Sequence, residues 1–488
     1  MLDKLRGFAR DSLLYGLGDF VGKLAGLILV PILSRVFVPA QYGLIDLLNI
    51  TYVFVSINLG LNVVSGFQKF FYLTSGEERR VLSASIISLL FLLSTAFAIL
   101  VIVFSRDISH LAFNKPDYYL IIILAAIRLP LESAVGVLLL LLRLNRKAMA
   151  FSFYNVMHVT ILPTTTYICV ITFDLGLNGV FLSPVITYLI LGTCLFIHQR
   201  TEFTARIDIS KAIEVTRFSL PGQPAGIILN IMNILPRYLL TYYAGLNAVG
   251  LFGMADRIAK IIQMIKTAFN RAWNPFAFSN AGKDDEKYLY EKVFKIFAAG
   301  LIFLSLALTL FAKEVLYVLT PPQYHSAASM VAGLCLYFTI KALTLIFSTG
   351  LYSVNRVGST SLLGTVELFF FILSAVTLIP YKKAAGLVLA LDIGAVTYFF
   401  SYALTIKKYF RFNFSILEIL SLLGVALTLY FLFEFGIITT AFSPKLLITK
   451  ISFLLLHGVV TYFLILNKHE RTLIHRKIRY SFAPSLFH

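Results

Sequence analysis

The sequence predicts an all-α polytopic membrane protein with about fourteen transmembrane helices. Three features lead to this fold class: 58% of the 488 residues are hydrophobic, only 14% are charged, and the mean hydropathy is +0.84. Soluble domains average about 45–50% apolar and about 25% charged residues. Apolar stretches of about 20 residues, each long enough to cross a bilayer, recur along nearly the whole chain. We therefore expect one integral helical bundle.

Apolar windows place the predicted spans in chain order. The first apolar run is too long for a secretory signal and contains Asp19 and Lys23, so we interpret it as the first span. The second and eighth spans carry polar residues throughout their length. The predicted spans are 13–36, 43–66, 81–104, 118–141, 150–172, 180–198, 218–243, 247–270, 293–312, 328–352, 360–380, 385–406, 416–434 and 446–466.

Basic residues predict the orientation of these spans, because cytoplasmic loops hold an excess of Lys and Arg. Alternate connecting segments and the two ends hold about 27 basic residues, whereas the opposite loops hold about seven. Both termini are therefore expected in the cytoplasm, with the chain in the inner (cytoplasmic) membrane. The formal charge of +18 lies in short clusters between apolar runs, which indicates topology signals rather than nucleic-acid binding.

The sequence lacks the residue patterns that indicate a catalytic site, a metal site or a cofactor site. Cys169, Cys194 and Cys335 lie inside apolar stretches and have no metal-ligand spacing. The segment 18–24 lacks both the glycine spacing and the Ser or Thr of a phosphate-binding loop. His158 is a lone histidine on an apolar helix, with no second ligand at i+4, which favours a core or headgroup contact. We expect no catalytic residue, no metal and no cofactor.

The two halves of the chain resemble each other, which indicates an internal duplication. Four short matches share an offset of 207 to 210 residues and fall at equivalent places in the topology. The matched pairs are 42–44 with 249–251, 106–107 with 313–314, 177–180 with 384–387, and 145–146 with 355–356.

The duplication predicts the domain organisation. Six spans in each copy mean that both copies enter the membrane from the same side, as parallel repeats. We expect an N-terminal six-helix lobe at 1–210, a C-terminal six-helix lobe at 211–410, and a further helix pair with a basic cytoplasmic tail at 411–488. The two lobes would face a central cavity.

The sequence resembles the multidrug/oligosaccharidyl-lipid/polysaccharide exporter (MOP) superfamily. Within this superfamily it resembles the branch of polysaccharide and O-antigen (Wzx-type) flippases. The residues that carry the resemblance are 12–23, 31–35, 42–44 and the counterpart 245–257. The resemblance implies two lobes that alternate between inward-open and outward-open states. It also implies an undecaprenyl-diphosphate-linked oligosaccharide as cargo, with the last two helices lining a groove for its lipid tail.

Charged residues inside spans are the candidate site, because a charge at mid-membrane costs at least about 2.5–3.5 kcal/mol and usually faces a cavity or a partner. A diphosphate needs fixed cations, and the planar guanidinium of arginine suits phosphate. The candidate substrate-binding residues are Lys23, Arg128, Arg237, Arg257 and Lys341. The candidate ion-coupling residues, which would take a proton or hold a sodium ion, are Asp19, Glu367 and Asp392.

A structural interpretation of these charges stays open beside the functional one. Three sets of opposite charges are spaced i,i+4, so that each pair can neutralise itself on one helix face. They are Asp19 with Lys23, Arg128 with Glu132, and Asp256 with Lys260. The acidic candidates can equally serve as counter-ions to the cations.

The predicted function is a flippase without covalent chemistry, which carries its lipid-linked cargo by alternating access coupled to an ion gradient. Its partners would be that cargo, membrane lipids and other polysaccharide-assembly proteins. A drug or cation antiporter of the same superfamily is the main alternative, although its cavity should be acidic whereas these charges are balanced to slightly basic. A membrane polymerase or glycosyltransferase is a third possibility, but such enzymes usually need a large ordered external loop.

Overall fold

The computed structural model describes residues 26, 28–113, 116–204, 206–280, 282–283, 286–354, 356–410, 416–436 and 444–465. Every regular element within these residues is helical, which confirms the all-α class. Contacts divide the chain into two compact units, Met1–Gly250 (unit 1) and Leu251–His488 (unit 2). The predicted boundaries at 210 and 410 derive from the sequence duplication and stay a prediction.

Unit 1 contains helices α1 to α9 and the first part of α10. Described residues 28–36 form α1. Helix α10 is interrupted at Gly245 (φ 77°, ψ 173°), a conformation that costs glycine little because it has no Cβ. The helices are α2 (Pro39–Leu59), α3 (Val63–Leu73), α4 (Gly76–Val103), α5 (Ser105–Phe113), α6 (Tyr119–Leu144), α7 (Ala148–Tyr167), α8 (Gly176–Gln199), α9 (Ile209–Ser219) and α10 (Gln223–Ser279).

Unit 2 contains the rest of α10 and helices α11 to α16. Helix α14 reverses direction at Lys383 (φ 50°, ψ −126°), and its two limbs pack so closely that a Cβ on Gly386 would overlap the carbonyl of Leu378. Helix α14 therefore contains two of the predicted spans, 360–380 and 385–406. The helices are α11 (Glu286–Leu310), α12 (Ala312–Leu319), α13 (Ala328–Ser353), α14 (Val357–Tyr409), α15 (Ile416–Gly436) and α16 (Pro444–Ile465).

Length and composition make this a multi-pass membrane protein. Eight helices among the described residues are long and apolar enough to cross a membrane. Large apolar side chains stay exposed along them: on α4, Leu92, Ile99 and Val103 are 65%, 57% and 69% exposed. Such a surface is stable against lipid tails but not in water. The number of fourteen spans includes residues outside the described part, so it stays a prediction.

The predicted second span, 43–66, is wrong in one respect, because the chain breaks there between α2 and α3. Leu61 and Asn62 adopt the left-handed conformation (φ 46° and 53°), which Asn tolerates better than most residues. The amide of Val63 donates to the carbonyl of Gly60, which closes the turn at 2.8 Å. Apolar content alone does not reveal this break, because residues on both sides of it are hydrophobic.

The two copies of the duplicated glycine motif meet inside unit 1. A Cβ on Gly43 would overlap the carbonyl of Leu246, and a Cβ on Gly250 would overlap the carbonyl of Pro39. Small residues allow helices to approach at backbone distance in a membrane protein, where packing replaces the hydrophobic effect. Gly43 and Gly250, which are 207 positions apart, therefore occupy equivalent places in the repeat and share one contact.

We expect Gly43→Ala to lower the free energy of unfolding by about 1–3 kcal/mol, because an added methyl group overpacks this contact. Gly136→Ala on α6 is the matched control, because nothing lies within 4 Å of the Cβ it would add. Thermal unfolding in detergent measures both variants. Equal melting temperatures for Gly43→Ala and wild type would show that the contact is not tight.

Candidate functional site

Unit 1 gathers a cation, a carboxylate and three rings at one place, which we call the Arg128 cluster (Tyr52, Arg128, Glu132, His158 and Tyr188). These residues come from α2, α6, α7 and α8. Arg128 and Glu132 lie one turn apart on α6, and Nε of Arg128 donates to Oε2 of Glu132 at 2.8 Å. The predicted i,i+4 pair is therefore present.

Aromatic rings enclose the guanidinium of this pair. Arg128 lies 3.9 Å from the ring centroid of Tyr52 and 5.5 Å from that of Tyr188, both within the range of cation–π attraction. The Tyr52 hydroxyl donates to the same Oε2 of Glu132 at 2.8 Å. Asn49 accepts a longer hydrogen bond from Nη1 of Arg128 at 3.4 Å. One carboxylate oxygen thus receives two donors, and the arginine is held on several sides.

His158 belongs to the Arg128 cluster, whereas the sequence indicated only a core or headgroup contact. Its ring lies 5.5 Å from the ring of Tyr188, and it interacts electrostatically with Glu132 and Arg128. Its Nε2 is buried and has no hydrogen-bond partner among the described residues. Helix periodicity could not reveal this position, because it does not specify which helix packs beside α7.

The helices around this cluster enclose it only partly. The side chains of Arg128 and Glu132 are 15% and 28% exposed, so the pair is not sealed. A ligand with anionic oxygens can therefore approach the guanidinium edge without unfolding the bundle. That combination of apolar surroundings and limited access is typical of binding sites in membrane helices.

A second ion pair in unit 1 joins two helices that are distant in sequence. Nε of Arg237 on α10 donates to Oδ2 of Asp46 on α2 at 2.6 Å, and Nη1 donates to the carbonyl of Asn233 at 3.1 Å. Both charged residues are buried. Arg237 had no partner within its own helix in the sequence, and the structure supplies one from another helix.

Unit 2 carries the counterpart, the Lys341 cluster (Lys341, Glu367 and Tyr398). Nζ of Lys341 on α13 donates to Oε2 of Glu367 on α14 at 2.6 Å and lies 4.1 Å from the ring centroid of Tyr398. Glu367 is almost fully buried, with 2% of its side chain exposed. The carboxylate of this pair is therefore sealed, in contrast to Glu132, although Lys341 itself is 19% exposed.

The two clusters correspond through the sequence duplication. Arg128 precedes Lys341 by 213 positions, His158 precedes Glu367 by 209, and Tyr188 precedes Tyr398 by 210. Each unit thus places a cation beside a tyrosine ring at matching helices of the repeat. The correspondence supports the duplication and was not visible from the four short sequence matches.

The remaining predicted site residues divide into three groups. Asp256 and Lys260 form the predicted i,i+4 pair at 2.6 Å, and Arg257 is half-buried beside them on α10. Asp392 lies against Gly333, and its Oδ1 is buried without a hydrogen-bond partner among the described residues. Asp19 and Lys23 lie outside the described residues.

Sequence reasoning missed two ion pairs that attach the last helices to α11 and α12. Lys295 on α11 binds Glu418 on α15 at 3.0 Å. Lys450 on α16, which is 1% exposed, binds Glu314 on α12. A lysine near the predicted start of a span more often extends to the lipid headgroups, so its burial was not evident from the sequence.

An apolar groove lies between α11 and α16. Its volume is about 550 Å³, and its lining includes Phe303 from α11 and Leu455, Val459 and Phe463 from α16. Of the last two helices, which the resemblance implied would line a groove for a lipid tail, only α16 contributes to this lining, and the role of the groove stays a prediction.

The comparisons with known proteins agree with this architecture. Residues 32–329, more than half of the chain, match the family described as "Polysaccharide biosynthesis protein". The chain belongs to this family. A comparison with curated proteins finds no match to the sequence.

Solved structures show the fold that this family member adopts. The "Lipid II flippase MurJ, inward closed conformation" superposes with a TM-score of 0.74 at 14% identity and covers 92% of this chain and 99% of its own. A multidrug resistance MATE transporter of the MOP superfamily, outward-facing, gives 0.58 at 14% identity, with 83% and 96% coverage. The Vibrio cholerae MATE transporter VcmN in the bent form gives 0.56 at 12% identity, with 83% and 97% coverage. The fold that the resemblance to the MOP superfamily implied is confirmed.

We expect Arg237→Ala to lower the free energy of unfolding by roughly 3–5 kcal/mol, because it leaves the Asp46 carboxylate buried without its partner. Unfolding in detergent, followed by circular dichroism, measures the change.

Glu202→Gln provides the control, because it removes an exposed pair with Lys147 that spans 3.0 Å. Exposed pairs contribute about 0–1 kcal/mol, so this variant should unfold like wild type. An equally small effect of Arg237→Ala would mean that water reaches the buried pair.

Proposed function

We propose that the protein is a flippase that moves an undecaprenyl-diphosphate-linked oligosaccharide across the cytoplasmic membrane for the assembly of a polysaccharide such as O-antigen. Membership of the polysaccharide biosynthesis family and the fold shared with MurJ support this cargo. The observation that carries the proposal is the Arg128 cluster, a partly exposed guanidinium set within an apolar bundle. Both termini would lie in the cytoplasm, where other polysaccharide-assembly proteins supply the cargo.

The chemistry of a diphosphate explains why such a cation is needed. Anionic oxygens that leave water lose strong hydration, and charge-assisted hydrogen bonds from fixed donors replace it. Arg128, Arg237, Arg257 and Lys341 are the described cations proposed to contact the cargo, and Lys23 completes the set. The protein needs no catalytic group for this task, because translocation makes and breaks no covalent bond.

Ion coupling would involve acidic residues inside the predicted spans. Asp19, Glu367 and Asp392 are the proposed coupling residues. Oδ1 of Asp392 and Oε1 of Glu367 are both buried and lack a hydrogen-bond partner among the described residues. Asp392 fits this role better, because Glu367 is already paired through Oε2 with Lys341. A buried carboxyl oxygen without a donor is stabilised by binding a proton or a cation.

A drug or cation antiporter is the second candidate, because MATE transporters share the fold with TM-scores of 0.56 to 0.64. The charges favour the first candidate. A cationic drug would meet arginine and lysine beside each carboxylate of the Arg128 and Lys341 clusters.

We expect wild-type protein in proteoliposomes to make a fluorescent undecaprenyl-diphosphate oligosaccharide accessible to an external quencher. Arg128→Ala should slow this translocation roughly tenfold to a hundredfold, because it removes one charge-assisted contact to phosphate. Arg80→Ala removes an exposed arginine of the same unit and serves as the matched control.

Three outcomes separate the candidates. If Arg128→Ala translocates the glycolipid slowly and Arg80→Ala translocates it at the wild-type rate, both the flippase function and the Arg128 cluster as its binding site are supported. Equal transport by both variants would keep the flippase and reject the site. No transport of the glycolipid by wild type, combined with uptake of a cationic dye, would replace the flippase by the antiporter.

A further inference from the structure

We propose that Glu132 competes with the phosphate of the cargo for Arg128, so that anion binding is accompanied by uptake of a proton on Glu132. The proposal rests on the flippase function above and deepens it. It assigns Glu132, which the sequence indicated only as a counter-ion, to the coupling of cargo and proton.

The first step of the argument is the geometry of the ion pair between Arg128 and Glu132. Oε2 of Glu132 accepts hydrogen bonds from Nε of Arg128 and from the Tyr52 hydroxyl, both at 2.8 Å. Arg128 is also flanked by the rings of Tyr52 and Tyr188. Two tyrosine rings therefore lie beside the guanidinium, and the carboxylate occupies its donor at Nε. An incoming phosphate that uses this donor must displace Glu132.

The second step is the fate of the displaced carboxylate. A carboxylate among apolar helices that loses its arginine is left with a charge that its surroundings stabilise poorly, and protonation removes that charge. The proton comes from water that reaches the partly exposed side chain. The carboxylate becomes a carboxylic acid, and the phosphate replaces it as the hydrogen-bond partner of Arg128. The net charge of the site therefore changes by the sum of the bound anion and the bound proton.

The groups around Glu132 decide whether it is the proton acceptor. Tyr52 faces it from α2, Arg128 from its own helix α6, His158 from α7 and Tyr188 from α8. Helices α3, α4 and α5 also pack against α6. The charged residues of α4, 77–80, all lie within its first five positions. Helix α5 carries Arg106, Asp107 and His110, and Arg106 lies over the ring of Tyr119 at the start of α6. Lys69 of α3 lies over the ring of Phe218. His158 is therefore the rival acceptor, because its Nε2 is buried and has no hydrogen-bond partner in the described part of the chain.

The exposed fraction of the carboxylate distinguishes the ion pair of unit 1 from that of unit 2. Lys341, Glu367 and Tyr398 also combine a cation, a carboxylate and a tyrosine ring, although Glu367 lies on a different helix from its cation. Glu367 is 2% exposed, whereas Glu132 is 28% exposed. The two cations are similarly exposed, 15% for Arg128 and 19% for Lys341, so in exposure the pairs differ only at the carboxylate. The exchange linked to a proton is accordingly assigned to Arg128 and Glu132, because Glu132 is the exposed carboxylate of the two, and Lys341 stays a proposed contact of the cargo.

The experiment uses the full chain in lipid nanodiscs and two probes, undecaprenyl diphosphate and inorganic pyrophosphate. A pH-indicator dye in weak buffer reports proton uptake, and intrinsic fluorescence reports binding. We expect about one proton to be taken up for each undecaprenyl diphosphate bound by wild type. Binding of pyrophosphate with the same proton uptake would show that the diphosphate alone, without the lipid, operates the exchange.

The variants test the roles of individual groups. Glu132→Gln should bind undecaprenyl diphosphate roughly tenfold more tightly and take up no proton, because the competitor has lost its charge. Tyr52→Phe removes one donor to Glu132 and should bind more tightly by a smaller factor with proton uptake retained. Glu202→Gln, in the exposed pair with Lys147, should behave as wild type.

Each other result has a definite meaning. The exchange of Glu132 for phosphate is overturned if wild type binds the probe without proton uptake, or if Glu132→Gln binds it more weakly. The flippase function is then still tested by the transport assay described above. Proton uptake that persists in Glu132→Gln and disappears in His158→Gln overturns the assignment to Glu132. Absence of binding by either probe rejects the exchange and the diphosphate cargo together. Tyr52→Phe decides the question if Glu132→Gln fails to fold.

Discussion

The structure depends on neutralising charges that lie between apolar helices. In a bilayer no water compensates an isolated arginine or glutamate, so each must find an opposite charge, a ring or a wet surface. Unit 1 solves this with Asp46 and Arg237 and with the Arg128 cluster, and unit 2 with the Lys341 cluster. These pairs also select which helices become neighbours, because a helix placed elsewhere would leave a charge without its partner.

The two kinds of pair have different consequences. A sealed pair such as Asp46 with Arg237 fixes helices to each other, since breaking it exposes two charges to an apolar environment. A partly open pair such as Arg128 with Glu132 holds its cation ready while allowing another anion to compete. Stability and recognition thus use the same chemistry, and access to water determines which of the two a pair serves.

The sequence predicted features that depend on local spacing and missed those that depend on helix neighbours. The pairs Arg128 with Glu132 and Asp256 with Lys260 follow from i,i+4 spacing and are present. The partner of Arg237, by contrast, lies 191 positions away. The period of a helix indicates which face is apolar but not which helix covers it, so such a contact has no signal in a single sequence.

The ion pairs of the last two helices have a mechanical consequence. Glu418 attaches the beginning of α15 to α11, and Lys450 attaches the beginning of α16 to α12. Because these two attachments are separate, we expect α15 and α16 to follow a common tilt of α11 and α12 rather than to pivot about either ion pair. The apolar groove beside Phe303 therefore keeps its width during such a tilt, and a hydrocarbon chain resting in it would be carried along rather than squeezed out.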